Sequence, residues 1–266
     1  MNKIIKLLLF LGALLSFNTN SLSASADEIE DFITKHMLIG DSLDKFEQEE
    51  QIQMSLLSDE NINFEKIKKD YQEYIESGFL SEDITYEMYL ELVTAEPPTD
   101  PVADEFRTYS IAGQPQAGDI LITNGTTANG LTGHAGIFLG HLGNGAILSI
   151  RGFGHKPEMI GIFTWMERYG GKGNWTKLYR PTERYKPALA AEFAMNQYAN
   201  TNYSYGITTN ILGLDPTYCS KIVWQGYWYS SAAPQIGGLK KPLIASPYDL
   251  PDYFEESTPV HIATWQ

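Results

Sequence analysis

Apolar positions along the chain fall into two regimes. Up to residue 95 they recur at helical spacing. Ile29, Phe32, Ile33 and His36 form one such set, and Phe64, Ile67, Tyr71, Tyr74 and Ile75 form another. Gly40-Asp41-Ser42, Ser58-Asp59-Glu60-Asn61 and Ser77-Gly78 interrupt the pattern, with Asp41 or Ser42 placed to cap a helix start and Gly78 to end one. Ser81-Glu82-Asp83 predicts the start of a last helix through Val93. From residue 106 the runs shorten into strands: Asp119 to Thr123, His134 to Gly140 behind a loop rich in Gly, Thr and Asn, and Ala146 to Arg151. Gly143-Asn144-Gly145 reads as a hairpin turn, and period two puts Ile147, Ser149 and Arg151 on one face. Phe163 to Tyr169 reads as a short helix, Trp175 to Arg180 as a strand, and Pro187 to Ala199 and Cys219 to about Tyr229 as helices. This order predicts an α+β fold, with a small antiparallel sheet packed on helices and a small helical segment before it.

The first 26 residues have a different character. Lys3 and Lys6 precede an apolar run from Leu7 to Phe17, and Ala24-Ser25-Ala26 offers a small-residue cleavage site. This reads as a secretory signal peptide, with a mature start near Asp27 and no stable membrane anchor once it is cleaved. An uncleaved signal-anchor is the competing reading. Glu96-Pro97-Pro98-Thr99-Asp100-Pro101 opens a proline-rich linker. The expected organisation is a signal peptide at 1–26, an acidic helical segment at 27–95, a linker at 96–105 and a main domain at 106–266.

Charge sharpens that division. The net charge is −14, and residues 27–100 hold 21 acidic side chains against 5 basic, whereas residues 106–266 hold 10 against 12. Neither half has the basic cluster that nucleic acid requires, so nucleic acid is excluded as a partner. The acidic segment is expected to be either a soluble appendage or a cover that docks on the second half.

The chain has one cysteine, Cys219, so a secreted form has no internal disulfide and exposes a lone thiol to oxidation. A buried structural cysteine is the plain reading. The functional reading starts from its place at a helix start behind Asp215-Pro216, where free N–H groups and the helix dipole lower a thiol's pKa. His134 opens a strand. On its own it reads as a satisfied core histidine. Together, a cysteine opening a helix and a histidine on another element are the two parts of a thiol nucleophile and its base. His141, His155 and Glu158 have no paired spacing that favours a metal, and no metal or organic cofactor is expected. Asp119 is expected to bond loop N–H groups. The tryptophans and tyrosines are expected to be mostly core.

Three stretches carry a resemblance: Ala117-Gly118-Asp119-Ile120-Leu121, Gly133-His134-Ala135-Gly136-Ile137-Phe138-Leu139-Gly140 and Tyr218-Cys219-Ser220-Lys221-Ile222-Val223-Trp224. In this order they resemble the permuted papain-like cysteine hydrolases of the NlpC superfamily, in particular its YiiX/YycO-like branch, over roughly residues 112–250. Ser246 to Leu250 is similar to the closing segment of that branch. The resemblance implies a permuted papain-like domain, Cys219 as nucleophile and His134 as general base. It implies a tyrosine ahead of the cysteine that helps line the oxyanion site, and Tyr203 is chosen over Tyr205. The branch often has Glu as the polar orienter on the strand after the histidine. Ser149 stands there in this chain, with Glu158 the alternative if the orienter has moved.

The expected activity is therefore that of a secreted or envelope thiol hydrolase acting on an amide or ester through an acyl-enzyme, with Cys219 N–H helping to hold the oxyanion. The leading substrate is a cell-wall peptide of peptidoglycan, by family analogy. A lipid acyl-ester hydrolase or acyltransferase on the same fold is the alternative. Ser149 in place of Glu favours a non-catalytic peptide-binding domain as a further alternative, and residues 27–100 blocking the cleft until removed is another.

Overall fold

The computed structural model describes residues 64–98, 114–125, 133–170, 173–230 and 238–265. The expected signal peptide, the helical pattern at 29–36, the breaks at 40–42 and 58–61 and most of the linker lie outside them. Helices α1 (Phe64–Ser77) and α2 (Tyr86–Thr94) come first. Strands β1 (Ile120–Thr123), β2 (His134–Phe138), β3 (Ala146–Ile150) and β4 (Pro157–Gly161) follow. Then come α3 (Ile162–Tyr169), β5 (Thr176–Arg180), α4 (Pro187–Tyr198), α5 (Cys219–Tyr229) and β6 (Val260–Trp265). The strands form one six-stranded antiparallel sheet in the order β4-β3-β2-β1-β5-β6. The α+β class read from the sequence is thus observed, with five helices among the described residues.

Two strands escaped the sequence reading. β4 is an edge strand that opens on Pro157 and buries only Pro157 and Ile160, three positions apart, so it lacks the period-two apolar signal of a strand. β6 is the opposite edge, and only partial burial of its Ile262, Ala263 and Trp265 against a second buried cluster marks it. β1 and β2 are buried along their whole length, as befits central strands covered on both faces. Between β2 and β3 the chain makes a 3-10 turn over Gly140–Gly143 before Asn144 and Gly145 take left-handed φ values, a longer connection than the expected hairpin turn.

The helix expected from Ser81 begins at Tyr86, with Thr85 as its N-cap. The reason is tertiary. Leu80 bridges Ile207, and the backbone N–H of Ser81 donates to Ile207 O at 2.9 Å. Asp83 accepts from the Thr209 N–H at 2.9 Å instead of capping α2. These bonds tie residues 80–84 to the loop ahead of α5. Phe79, Leu80, Ile84 and Tyr89 share one buried cluster with Tyr205, Ile207 and Cys219. Residues 64–98 therefore contribute to the core of the main domain, and the change of composition near residue 96 does not mark an edge of that core.

Gly118 and Asp119 anchor the head of β1. Gly118 has φ +89, and a Cβ there would lie 2.3 Å from Pro187 O, so only glycine allows α4 this close. Its carbonyl accepts from the Tyr227 hydroxyl of α5. Asp119 bonds the Gln116 N–H at 2.7 Å, as a loop-organising residue should, and also takes a two-pronged pair from Arg180: Nε at 2.9 Å and an Nη at 2.6 Å. Burial pushes the Asp119 carboxyl up against the pull of Arg180. Arg180→Ala, which leaves a buried carboxylate without its partner, is expected to destabilise the fold by about 3–5 kcal/mol. A urea unfolding midpoint measures it.

Candidate active site

Cys219 is the first residue of α5, and Tyr218 ahead of it is extended with no side-chain cap. The flanking residues are pinned to one place. Ser220 Oγ donates to Ala245 O at 2.7 Å, and the Ala245 N–H donates to the Tyr218 hydroxyl at 3.0 Å. Lys221 Nζ reaches back to Pro216 O at 2.8 Å. The thiol is 5% exposed and accepts from the backbone N–H of Ala135, the residue after His134. Packing of α5 on β2 brings the helix start to the strand, with Cys219 in the buried cluster of Ala135 and Ile137, whereas the His134 ring packs on Trp165 and Tyr169 of the second cluster.

The helix N-terminus does not settle the thiol's pKa as the sequence reading expected. Donors from the backbone around Ser220, Cys219 and Ala135 pull it down, but burial outweighs them and pushes it up. The resting group is a neutral thiol.

His134 is 2% exposed and lies against Trp165, ring centroids 5.3 Å apart, and Tyr169, 4.7 Å away. Its Nε2 is 3.0 Å from Ser149 Oγ. Ser149 donates its single hydroxyl proton to Ala135 O at 2.6 Å. The hydroxyl is then an acceptor toward the ring, which assigns the proton to Nε2 and leaves Nδ1 with a free lone pair. Burial, followed by the Arg151 and Arg168 charges, lowers the imidazole pKa to about 3. The ring is neutral at physiological pH.

Glu158 sits opposite Ser149 in the β3–β4 ladder. Its carboxylate is engaged by Arg168 at 2.9 Å and Arg151 at 3.4 Å. The group beside the ring nitrogen is Ser149. Tyr203 packs edge-on against Tyr198 and is partly buried at the margin of the core. The cleft position expected of Tyr203 is taken by Tyr205, which lines the cleft with Cys219. The cleft is otherwise walled by Leu92, Ile207, Ile244, Ala245 and Pro247 around Gly133, Tyr218, Cys219 and Ser220. Leu92 comes from α2, which the sequence reading had left outside the catalytic domain. Among the described residues no group of three His, Cys, Asp or Glu is placed to hold a metal ion.

Gly133 sets the entry to β2. It has φ +79, and a Cβ there would lie 2.4 Å from Tyr248 Cε1. Gly133→Ala is expected to cost about 2–4 kcal/mol through left-handed strain and overpacking, and to lower activity by displacing His134. Denaturation midpoint and turnover, measured together, check both parts.

Residues 84–263 match the family described as "Lipoprotein N-acylation protein LnsA-like". The chain belongs to that family. The match starts inside the segment that the sequence reading assigned to the acidic helices, and so takes in α2 and its cleft residue Leu92. An "Uncharacterized 30.3 kDa protein" of Bacillus thuringiensis is 33% identical over 147 residues, covering 52% of this chain and 53% of that protein. The chain thus spans about half the length of this relative. No solved structure matches. The family is one of acyl transfer, which backs the acyltransferase alternative above the cleavage of cell-wall peptides. The assignment to the YiiX/YycO-like branch rests on the three motifs alone.

Proposed function

We propose that the protein is a thiol acyltransferase that moves an acyl chain from an ester lipid to the free α-amine of a lipoprotein. Membership of the lipoprotein N-acylation family carries this reading. It is supported by a thiol that lines an apolar cleft and by a neutral imidazole at the start of β2, the strand on which the thiol's helix packs. In the first half-reaction Cys219 Sγ bonds to the acyl carbon as His134 Nδ1 takes the thiol proton. The ester C–O bond breaks, and His134 returns the proton to the leaving alkoxide oxygen. In the second, the amine nitrogen attacks the thioester, His134 takes its proton, the C–S bond breaks and the proton goes to the departing Cys219 sulfur. The products are an amide and the free enzyme.

Ser149 is the positioning residue that keeps the Nε2–H tautomer, and Cys219 N–H with the Tyr205 hydroxyl are the donors for the tetrahedral oxyanion. Leu92, Ile207 and Ile244 give the acyl chain an apolar wall and keep water from the thioester. Both substrates belong to the cell envelope, where the leader at residues 1–26 would deliver the chain. Among the described residues no helix is long and apolar enough to cross a membrane.

The test is an incubation with a diacylated lipopeptide bearing a free α-amine and phospholipid vesicles, followed by mass spectrometry. The expected product is the lipopeptide with one added chain in amide linkage. Release of free fatty acid alone would return the reading to a hydrolase.

A further inference from the structure

Two exposed loops carry apolar tips, one lining the cleft and one linked to it by an aromatic chain. Phe153, 46% exposed, is in the β3–β4 connection, and its ring is 6.0 Å from Phe79. Phe79 stacks on Tyr205 at 5.3 Å, and Tyr205 lines the cleft. On another part of the rim Leu243, 63% exposed, directly precedes Ile244, a wall residue of the cleft. These are two of the larger exposed apolar side chains; Leu243 adjoins the opening and Phe153 is linked to it through Phe79 and Tyr205.

The charge around them departs from that of the chain. Residues 151–156 carry Arg151 and Lys156 and no carboxylate; residues 238–248 carry Lys240 and Lys241 and no carboxylate. The protein as a whole carries −14. Lys240 and Lys241 are exposed, and Lys156 is exposed with the neutral Asn202 amide as its partner at 2.6 Å. Among the described residues carboxylates approach from Asp249, which bonds Ser246, from the segment laddered on residues 238–240, which holds Asp252, Glu255 and Glu256 with Glu256 paired to Arg184, and from Glu158, which is paired with Arg151. An apolar tip flanked by lysines is the pattern that enters an anionic lipid interface, because the tip leaves water while the ammonium groups meet headgroup charge.

We infer that the loops holding Phe153 and Leu243, with Lys156, Lys240 and Lys241, form a docking rim that seats the cleft mouth on an anionic phospholipid surface. This rests on the proposed acyl transfer for its purpose, since an acyl donor in a bilayer then reaches Cys219 without crossing water. The rim itself is a property of the exposed residues and is testable without catalysis.

The experiment is co-sedimentation with vesicles of phosphatidylcholine, with and without about one third phosphatidylglycerol, in a Cys219→Ser background that cannot form a thioester. Every protein is prepared in the same N-terminal form, so any contribution of the leader cancels. Binding is expected to favour the anionic vesicles. Lys240→Gln with Lys241→Gln is expected to weaken it about 25-fold, at roughly fivefold per lysine. Phe153→Ser with Leu243→Ser is expected to weaken it about tenfold or more, with Leu243→Ser alone, whose side chain is 63% exposed, weakening it at an unchanged urea midpoint. Leu142→Ser, at an exposed leucine of the 3-10 turn after β2, is expected to leave binding unaltered. Equal binding to both vesicle types, rim variants that bind like the parent, or an equal loss in Leu142→Ser would each overturn the inference. None of these outcomes bears on whether Cys219 carries an acyl group, so failure of the rim and failure of the acyl-transfer reading are told apart.

Discussion

Cys219→Ser and His134→Gln are each expected to lower acyl transfer by about 10⁴-fold or more. The first replaces the sulfur that forms the thioester with a hydroxyl that His134 ionises far less readily. The second removes the base that takes the proton in both half-reactions. The two act as one unit, so the double variant is expected to be no worse than either alone, within about threefold. An additive loss would mean that each residue works separately, which the shared mechanism does not allow. Serine is close to cysteine in volume, so Cys219→Ser is expected to keep its fold. His134 packs on Trp165 and Tyr169, so a denaturation midpoint accompanies the activity of His134→Gln to separate lost chemistry from lost packing.

The second large effect is on pH. With its folded pKa near 3, His134 stays neutral down to mildly acidic solution. Burial holds the thiol protonated over the same range. Formation of the acyl-enzyme from an ester lipid, measured without an amine acceptor, is therefore expected to change by less than about twofold between pH 7 and pH 5. An ordinary imidazole at 6.5 would lose about 25-fold over that interval. Alkylation of Cys219 by iodoacetamide is expected to rise only above the ordinary thiol midpoint of about 8.5, because no thiolate–imidazolium pair exists at rest. The same shift has a stability consequence of fixed sign. The unfolded chain takes a proton on His134 near 6.5 and the folded chain does not. The stabilisation is complete above 6.5 and is lost as pH falls toward the folded value near 3. A thermal midpoint that fell with acid in His134→Gln as steeply as in the parent would remove His134 from that account.

Much of the frame is legible in the chain because local signals and tertiary packing agree. Gly118-Asp119 heads β1 as expected, since the positive φ and the close approach of Pro187 both demand glycine. Cys219 opens α5 as expected, with extended Tyr218 before it. The site is less legible where distant contacts decide. Tyr203 and Tyr205 are two residues apart, and period two gives them the same face, so the sequence has no basis for preferring one. The isolated bridge from Tyr205 to Thr217 places Tyr205 beside the segment that leads into Cys219, in the cleft. Ser149 lies in the orienter position by motif, but its acceptor role depends on where its one proton goes, and only the Ala135 carbonyl at 2.6 Å fixes that. The thiol's raised pKa follows from burial, which a helix-start argument does not contain. The part played by α2 was hidden because its composition resembles that of the acidic segment before it, whereas Leu92 and the Leu80–Ile207 bridge tie it to the site.

The intact mass of the protein after brief exposure to an ester lipid without an amine acceptor tests the central claim most directly. The account predicts a mass increase of one acyl chain, localised to the peptide that holds Cys219, released by hydroxylamine and absent in Cys219→Ser. Acyl transfer to a lipopeptide that proceeds in Cys219→Ser at the parent rate, with no adduct on the parent, would contradict it.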